Sequence, residues 1–199
     1  CTTMVFKKCC ITTRTNWKAS ARSGNLMVNL QNSTYSPRVA CFVDVEDVTM
    51  WKHMEIHEEA IRLAASLLRS VLKKGIPASL YTNGEDLLSG SLVQVPEGSG
   101  RGQTEKVNRS LSRLDLNAKK RPGPIYSELL KAEQELTGTQ QVVVLITENQ
   151  SRELQDAVRK MAAKGASFLW LGVFYKKEGW SGPNIHGVDY LKWEVEHEG

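Results

Sequence analysis

The residues best able to do chemistry stand directly after short apolar runs. Asp44-Val45-Glu46-Asp47 follows Val39 to Val43, Thr82-Asn83-Gly84 follows Ile76 to Tyr81, and Thr147-Glu148-Asn149 follows Val142 to Ile146. If those runs are parallel strands, the three groups meet at the carboxyl ends of one sheet, where open α/β folds bind ligands. Oxygens of Asp44, Glu46 and Glu148 would then converge, and such ligands suit a magnesium or calcium ion. The same acidic residues could equally cap helices or solvate turns, and no other cofactor is expected. His53 and His57 stand four apart near a helix start, which puts both imidazoles on one face, where a zinc could bridge them. The order is His-Met-Glu-Ile-His, not the metalloprotease His-Glu-x-x-His, so a surface histidine pair is expected. Gly98-Ser99-Gly100-Arg101-Gly102 could offer amides to a phosphate. It lacks the Lys-Ser/Thr of a phosphate-binding loop and reads as a mobile glycine loop. No Gly-x-Ser-x-Gly elbow occurs, which leaves nucleophilic catalysis without its strongest sequence signal.

The elements that must position these residues alternate from Val39 onward. The helix is clearest through Ala60, Ile61, Ala64, Leu67, Leu68, Val71 and Leu72, a three- and four-residue periodicity that stops at Gly75. Asn83-Gly84 reads as a turn after the second strand, and Ser91 to Val95 as a short edge strand. A helix runs through Val107, Leu111 and Leu114, and Pro122-Gly123-Pro124 breaks the chain before a short helix with Leu129, Leu130 and Leu136. Val142 to Ile146 is apolar on both faces, as a central parallel strand should be. Leu154, Ala157, Val158, Met161 and Ala162 form another helical stripe, ended by Gly165, and Phe168 to Phe174 and Tyr190 to Val195 complete the strands. The predicted fold is therefore α/β: an open, mainly parallel central sheet with helices on both faces.

Composition agrees with one globular domain. The 199 residues are 41% hydrophobic and 24% charged, with 26 basic and 22 acidic side chains giving a net charge of +4. Nothing approaches the roughly 20 apolar residues needed to span a bilayer. Cys1, Cys9, Cys10 and Cys41 lack a disulfide or zinc spacing, and Cys41 sits in an apolar run as a buried hydrophobe would, so a reduced, cytosolic setting is expected. Lys7, Lys8, Arg14, Lys18 and Arg22 have no acidic neighbour. Such an arm could meet nucleic acid or anionic lipid, but no nucleic-acid motif accompanies it, and no nucleic-acid partner is expected. Trp17-Lys18-Ala19-Ser20-Ala21-Arg22 is the most unusual patch. Its tryptophan could anchor a helical turn while Lys18 and Arg22 face a ligand.

The run from Thr15-Asn16-Trp17-Lys18-Ala19-Ser20-Ala21-Arg22-Ser23-Gly24 to Leu26-Met27-Val28-Asn29 resembles the signature of a bacterial family, family fifty-eight of the domains of unknown function. The usual form there is Ile-Asn-Trp-Lys-Ala-Ser-Ala-Arg-Thr-Gly, then Leu-Met-Val. The resemblance continues through the strand ending at Asp44, Glu58 to Leu67, Gly75 to Gly84, Pro96 to Gly100 and Ser110 to Asp115, from about Thr12 to Phe174. It implies a von Willebrand factor A-like, Rossmann-type domain over residues 31–199, preceded by a basic arm bearing the signature over residues 1–30. It further implies a membrane-attached bacterial protein, anchored through a segment outside this chain, with the domain on the cytoplasmic face of the inner membrane. The implied role is non-enzymatic: an adaptor that binds a MoxR-type AAA+ ATPase. The expected contact residues are Asp44, Glu46, Asp47 and Glu148, with Trp17, Lys18 and Arg22. The rival reading is a metal-dependent hydrolase built on the same carboxylates. The adhesion site of the A fold carries Asp-x-Ser-x-Ser, and here the matching residues are Asp44, Glu46 and Val48, with Glu148 in place of a later aspartate. Asp44, Glu46 and Glu148 would make a degenerate, all-carboxylate metal site.

Overall fold

The computed structural model describes residues 12–15, 28–29, 37–118, 121–134, 136, 141–176 and 182–196. Two short strands come first, β1 (Thr12–Thr15) and β2 (Val28–Asn29), paired antiparallel with each other. The main sheet has six strands: β3 (Arg38–Val43), β4 (Ala78–Glu85), β5 (Leu92–Gly98), β6 (Gln141–Thr147), β7 (Ser167–Tyr175) and β8 (Val188–Val195). Their order is β5-β4-β3-β6-β7-β8, parallel throughout except for β5, which runs antiparallel to β4 at one edge.

Alternation along the strands builds two cores. Val39, Cys41 and Val43 of β3 face one way, with Val144 and Ile146 of β6 and Leu169, Leu171 and Val173 of β7. Helices α1 (Met54–Lys73) and α2 (Gly100–Leu111) cover that face. Ala40, Phe42, Val143, Leu145, Phe168 and Trp170 face the other way, beneath α3 (Ile125–Ala132) and α4 (Arg152–Ala162). A sheet buried on both faces requires strands that are apolar throughout, which is why β3, β6 and β7 read as continuous runs. Cys41 is completely buried and its thiol is pushed up to about 12 by desolvation, as a small core hydrophobe. Among the described residues, no helix is long and apolar enough to cross a membrane.

This is the fold class the sequence predicts, with two local corrections. Asn83-Gly84 is not a turn but the end of β4, which runs on to Glu85. Gly84 is packed so closely that a Cβ there would lie 2.7 Å from Leu114 Cδ2 and 2.8 Å from Val45 Cγ2. The chain reverses later, where Asp86 Oδ1 accepts the amides of Leu88 and Ser89, both at 2.9 Å. The glycine loop is likewise ordered: Gly98 closes β5 and Gly100 opens α2.

The connections place the site. From β3 the chain passes through α1 on one face to β4, and from β6 it passes through α4 on the other face to β7. The two loops therefore diverge, leaving a crevice between the carboxyl ends of β3 and β6, the switch point at which open α/β sheets bind ligands.

Candidate functional site

At the floor of that crevice lies Asp44, only 3% exposed. Its Oδ2 accepts the Thr147 hydroxyl at 2.6 Å, and its Oδ1 accepts Asn83 Nδ2 at 2.7 Å and the Glu46 amide at 3.0 Å. Asn83 is itself spread across three segments, since its Oδ1 accepts the Val45 amide at 2.9 Å and its Nδ2 also donates to the Gly123 carbonyl at 2.8 Å. Thus β3, β4, β6 and the 121–124 segment are tied together by one carboxylate and one amide. Burial raises the Asp44 carboxyl above its ordinary value, against the opposing pull of Thr147, the Glu46 amide and Asn83. Both carboxylate oxygens are engaged, which makes Asp44 a strut between β3, β4 and β6.

Above this floor two imidazole–carboxylate contacts close the loop between β3 and α1. Asp47 Oδ1 accepts the His53 amide at 2.9 Å and pairs with His57 Nε2 at 2.8 Å. One carboxylate thus serves the start of α1 twice, at a donor without a helical acceptor and at an imidazole one turn on, where the helix dipole also favours negative charge. His53 Nδ1 pairs with Glu148 Oε2 at 2.7 Å, which ties α1 to the end of β6. The expected surface histidine pair is corrected here: the His57 side chain is 6% exposed and that of His53 13%.

Burial raises Glu148, with the His53 imidazole opposing it. Partial burial also works on Asp47, but the His53 amide and the His57 imidazole outweigh it and hold its carboxyl below the ordinary value. Glu46 is half-buried and raised by burial and by Asp44, with Arg121 as its counter-charge. A hydroxyl-rich adhesion site is not formed by these residues, because Glu46 and Val48 stand where serines would be needed. Instead, ligand atoms of Asp47, His57 and Glu148 all lie within 4.8 Å of one another, a mixed nitrogen and oxygen set that could hold a cation. Of the predicted acidic residues, the structure brings Asp44, Glu46, Asp47 and Glu148 to one crevice. Trp17, Lys18 and Arg22 lie outside the described residues.

Sequence reasoning missed Asn83 and Thr147 as the partners of Asp44, and it missed the roles of the two histidines. Each of those four residues sits at a strand end or in the first turns of a helix beside the switch point. Residue type at those positions was the available signal.

The rim differs in character from the crevice. Met50 is 93% exposed and Trp51 80%, on the loop between β3 and α1. Thr49 caps its own loop through the Trp51 amide and carbonyl, Arg121 donates to the Thr49 carbonyl, and Lys52 Nζ donates to the Leu116 carbonyl at 3.1 Å. The same connecting segment pairs Leu87 with Arg113 and Asp86 with Leu114, so it braces the β4–β5 hairpin as well. That hairpin carries Leu87, 63% exposed, and Leu88, 75% exposed.

No protein family and no curated protein matches this sequence. In structure the chain is similar to the conserved hypothetical protein BatB from Bacteroides thetaiotaomicron, at 15% identity and a TM-score of 0.47, covering 70% of this chain and 68% of that one. It is also similar to a von Willebrand factor type A protein from Catenulispora acidiphila, at 11% identity and a TM-score of 0.45, covering 79% of this chain and 35% of that one.

Proposed function

We propose that this chain is a protein-interaction domain, von Willebrand factor A-like in type, that seats its partner on the rim of the sheet's carboxyl edge. The observation that carries this reading is Trp51 with Met50, two large apolar side chains held out into solvent on a loop fixed from beneath. Of the large hydrophobic residues exposed among the described residues, Val48, Met50, Trp51, Leu87, Leu88 and Leu92 all belong to this edge. Isolated exposed apolar residues are ordinary, but a cluster on one edge marks a contact surface. Aromatic anchors dominate interface energetics, and a loop already ordered loses little entropy on binding. The contact surface therefore shifts from Asp44 to its neighbours: Met50, Trp51, Leu87 and Leu88 as anchors, with Glu46 on the polar margin.

The partner we propose is a MoxR-type AAA+ ATPase, with this chain as the adaptor domain of a membrane-attached bacterial protein. This rests on the signature around Trp17 to Arg22. The test is biolayer interferometry of the purified chain against the MoxR-type ATPase of the same organism. The Met50→Ser/Trp51→Ala double variant should bind at least tenfold more weakly with an unchanged melting temperature, while Leu130→Ser on α3 should bind as the parent does. Equal binding by the double variant would remove the rim from the reading. No complex with the parent chain would remove the ATPase.

A further inference from the structure

We propose that Asp47, His57 and Glu148 form a binding site for one divalent ion of the zinc class, zinc or cobalt, distinct from the floor built around Asp44. Three observations carry it. The ligand atoms come from three separate elements, the loop after β3, the second turn of α1 and the loop after β6, and lie within 4.8 Å of one another. The donors are well shielded, with side chains of Asp47, His57 and Glu148 exposed by 14%, 6% and 5%. Finally, the crevice gathers four carboxylates, Asp44, Glu46, Asp47 and Glu148. Among the described residues, His57 Nε2 faces Asp47 at 2.8 Å and His53 Nδ1 faces Glu148 at 2.7 Å.

Charges withdrawn from water are either paired or coordinate metals. An imidazole nitrogen among the donors selects between cations. Magnesium and calcium take oxygen ligands, whereas one nitrogen and two carboxylate oxygens suit zinc, with a water in the fourth position. Tetrahedral bonds of about 2.0–2.1 Å place ligand atoms roughly 3.4 Å apart. The Asp47–His57 contact at 2.8 Å would therefore open by about half an ångström, and Glu148 would close inward. On binding, His57 Nε2 gives up its hydrogen bond to Asp47 and presents its lone pair, so its ring proton resides on Nδ1. Glu148 Oε2 stays with His53 Nδ1, and Oε1, which accepts only a long 3.4 Å contact from the Val48 amide, turns to the ion.

This inference is independent of the partner-docking reading, and its test involves no partner. The full chain, stripped with EDTA and dialysed, is titrated calorimetrically with zinc, cobalt, magnesium and calcium chlorides. One equivalent of zinc should bind saturably, magnesium and calcium should give no saturable heat, and cobalt should give the visible absorption of a four-coordinate ion. His57→Gln and Glu148→Gln should each weaken zinc binding at least tenfold and abolish the cobalt band, while Asp44→Asn should leave both in place. If either glutamine variant fails to fold, Asp47→Asn supplies the same comparison. Zinc binding unchanged in the folded variants would put the ion on other histidines or cysteines and overturn the proposal. So would magnesium binding tighter than zinc, or no stoichiometric binding at all.

Discussion

The two ends of the sheet are built differently. At the amino end, α4 and the loop into β8 enclose a hollow lined by Ala162, Ala163, Gly165, Asn184, His186 and Gly187, wider than the one beside Asp47 and Met50 at the carboxyl end. Arg159, Phe168 and Asp189 line it as well. The carboxyl end holds less open space, yet it contains a buried carboxylate, two imidazole–carboxylate pairs and a bridging asparagine. Space at the amino end follows from alanine and glycine, which cannot fill the gap where a helix leaves the sheet. Charge at the carboxyl end has no such bland origin, since each buried ionic group costs stability unless its partners are in place. Perturbed, interlocked titratable groups therefore set the carboxyl end apart more than volume does.

The strongest way to break this contrast is to remove its centre. Asp44→Ala strands the Thr147 hydroxyl, the Asn83 amide and the Glu46 N–H, and should cost about 3–5 kcal/mol in urea denaturation. A loss below about 1 kcal/mol would show that Asp44 is no strut. Asn83→Ala removes an acceptor for Val45 and a donor shared by Asp44 and Gly123, and should cost about 2–3 kcal/mol by the same measurement.

A pH titration sharpens the contrast further. Burial raises the folded-state Asp44 carboxyl above its ordinary 3.8, so the folded protein holds that proton more tightly than the unfolded chain does. The stability this represents is full below 3.8 and is lost as pH rises through the folded value. Asp44→Asn lacks this titration. Between the two values the parent should therefore gain about 1.4 kcal/mol on the variant for each unit of acidification. A constant difference between parent and variant across that range would mean that the site is not desolvated. At the amino end, His186→Ala and Asn184→Ala should each change stability by no more than about 0.5 kcal/mol. A large loss there would erase the distinction.

The sheet was legible because parallel strands buried on both faces leave continuous apolar runs, and β3, β6 and β7 do so. Helix α1 was legible for a related reason, since its buried residues recur at the helical period up to Gly75. Asn83-Gly84 misled because the dipeptide is a turn signal in isolation. Here its asparagine is recruited by Asp44 and Val45, and its glycine is needed for close packing against Leu114, so tertiary contacts overrule local preference. The carboxylates were legible as a group, because each stands at a strand's carboxyl end. Their division of labour was not. Whether Asp44 or Asp47 is the sealed one depends on Thr147 and Asn83, which lie far away in sequence. His53 and His57 showed the right spacing, but spacing does not show that Asp47 and Glu148 fold over them.

The central pairing of β3 with β6 also has a consequence for the time course of biogenesis. Asp44 and Thr147 meet across a separation of 103 residues, so β3 emerges from the ribosome long before the strand that completes its second edge. At roughly 5–20 residues per second, that interval is about 5–20 s. During it, β3, α1, β4 and β5 can associate, but one side of β3 remains an uncovered apolar strand edge, open to chaperones and to neighbouring nascent chains. The crevice between β3 and β6 thus comes into existence only when β6 docks, a late event in the life of each molecule.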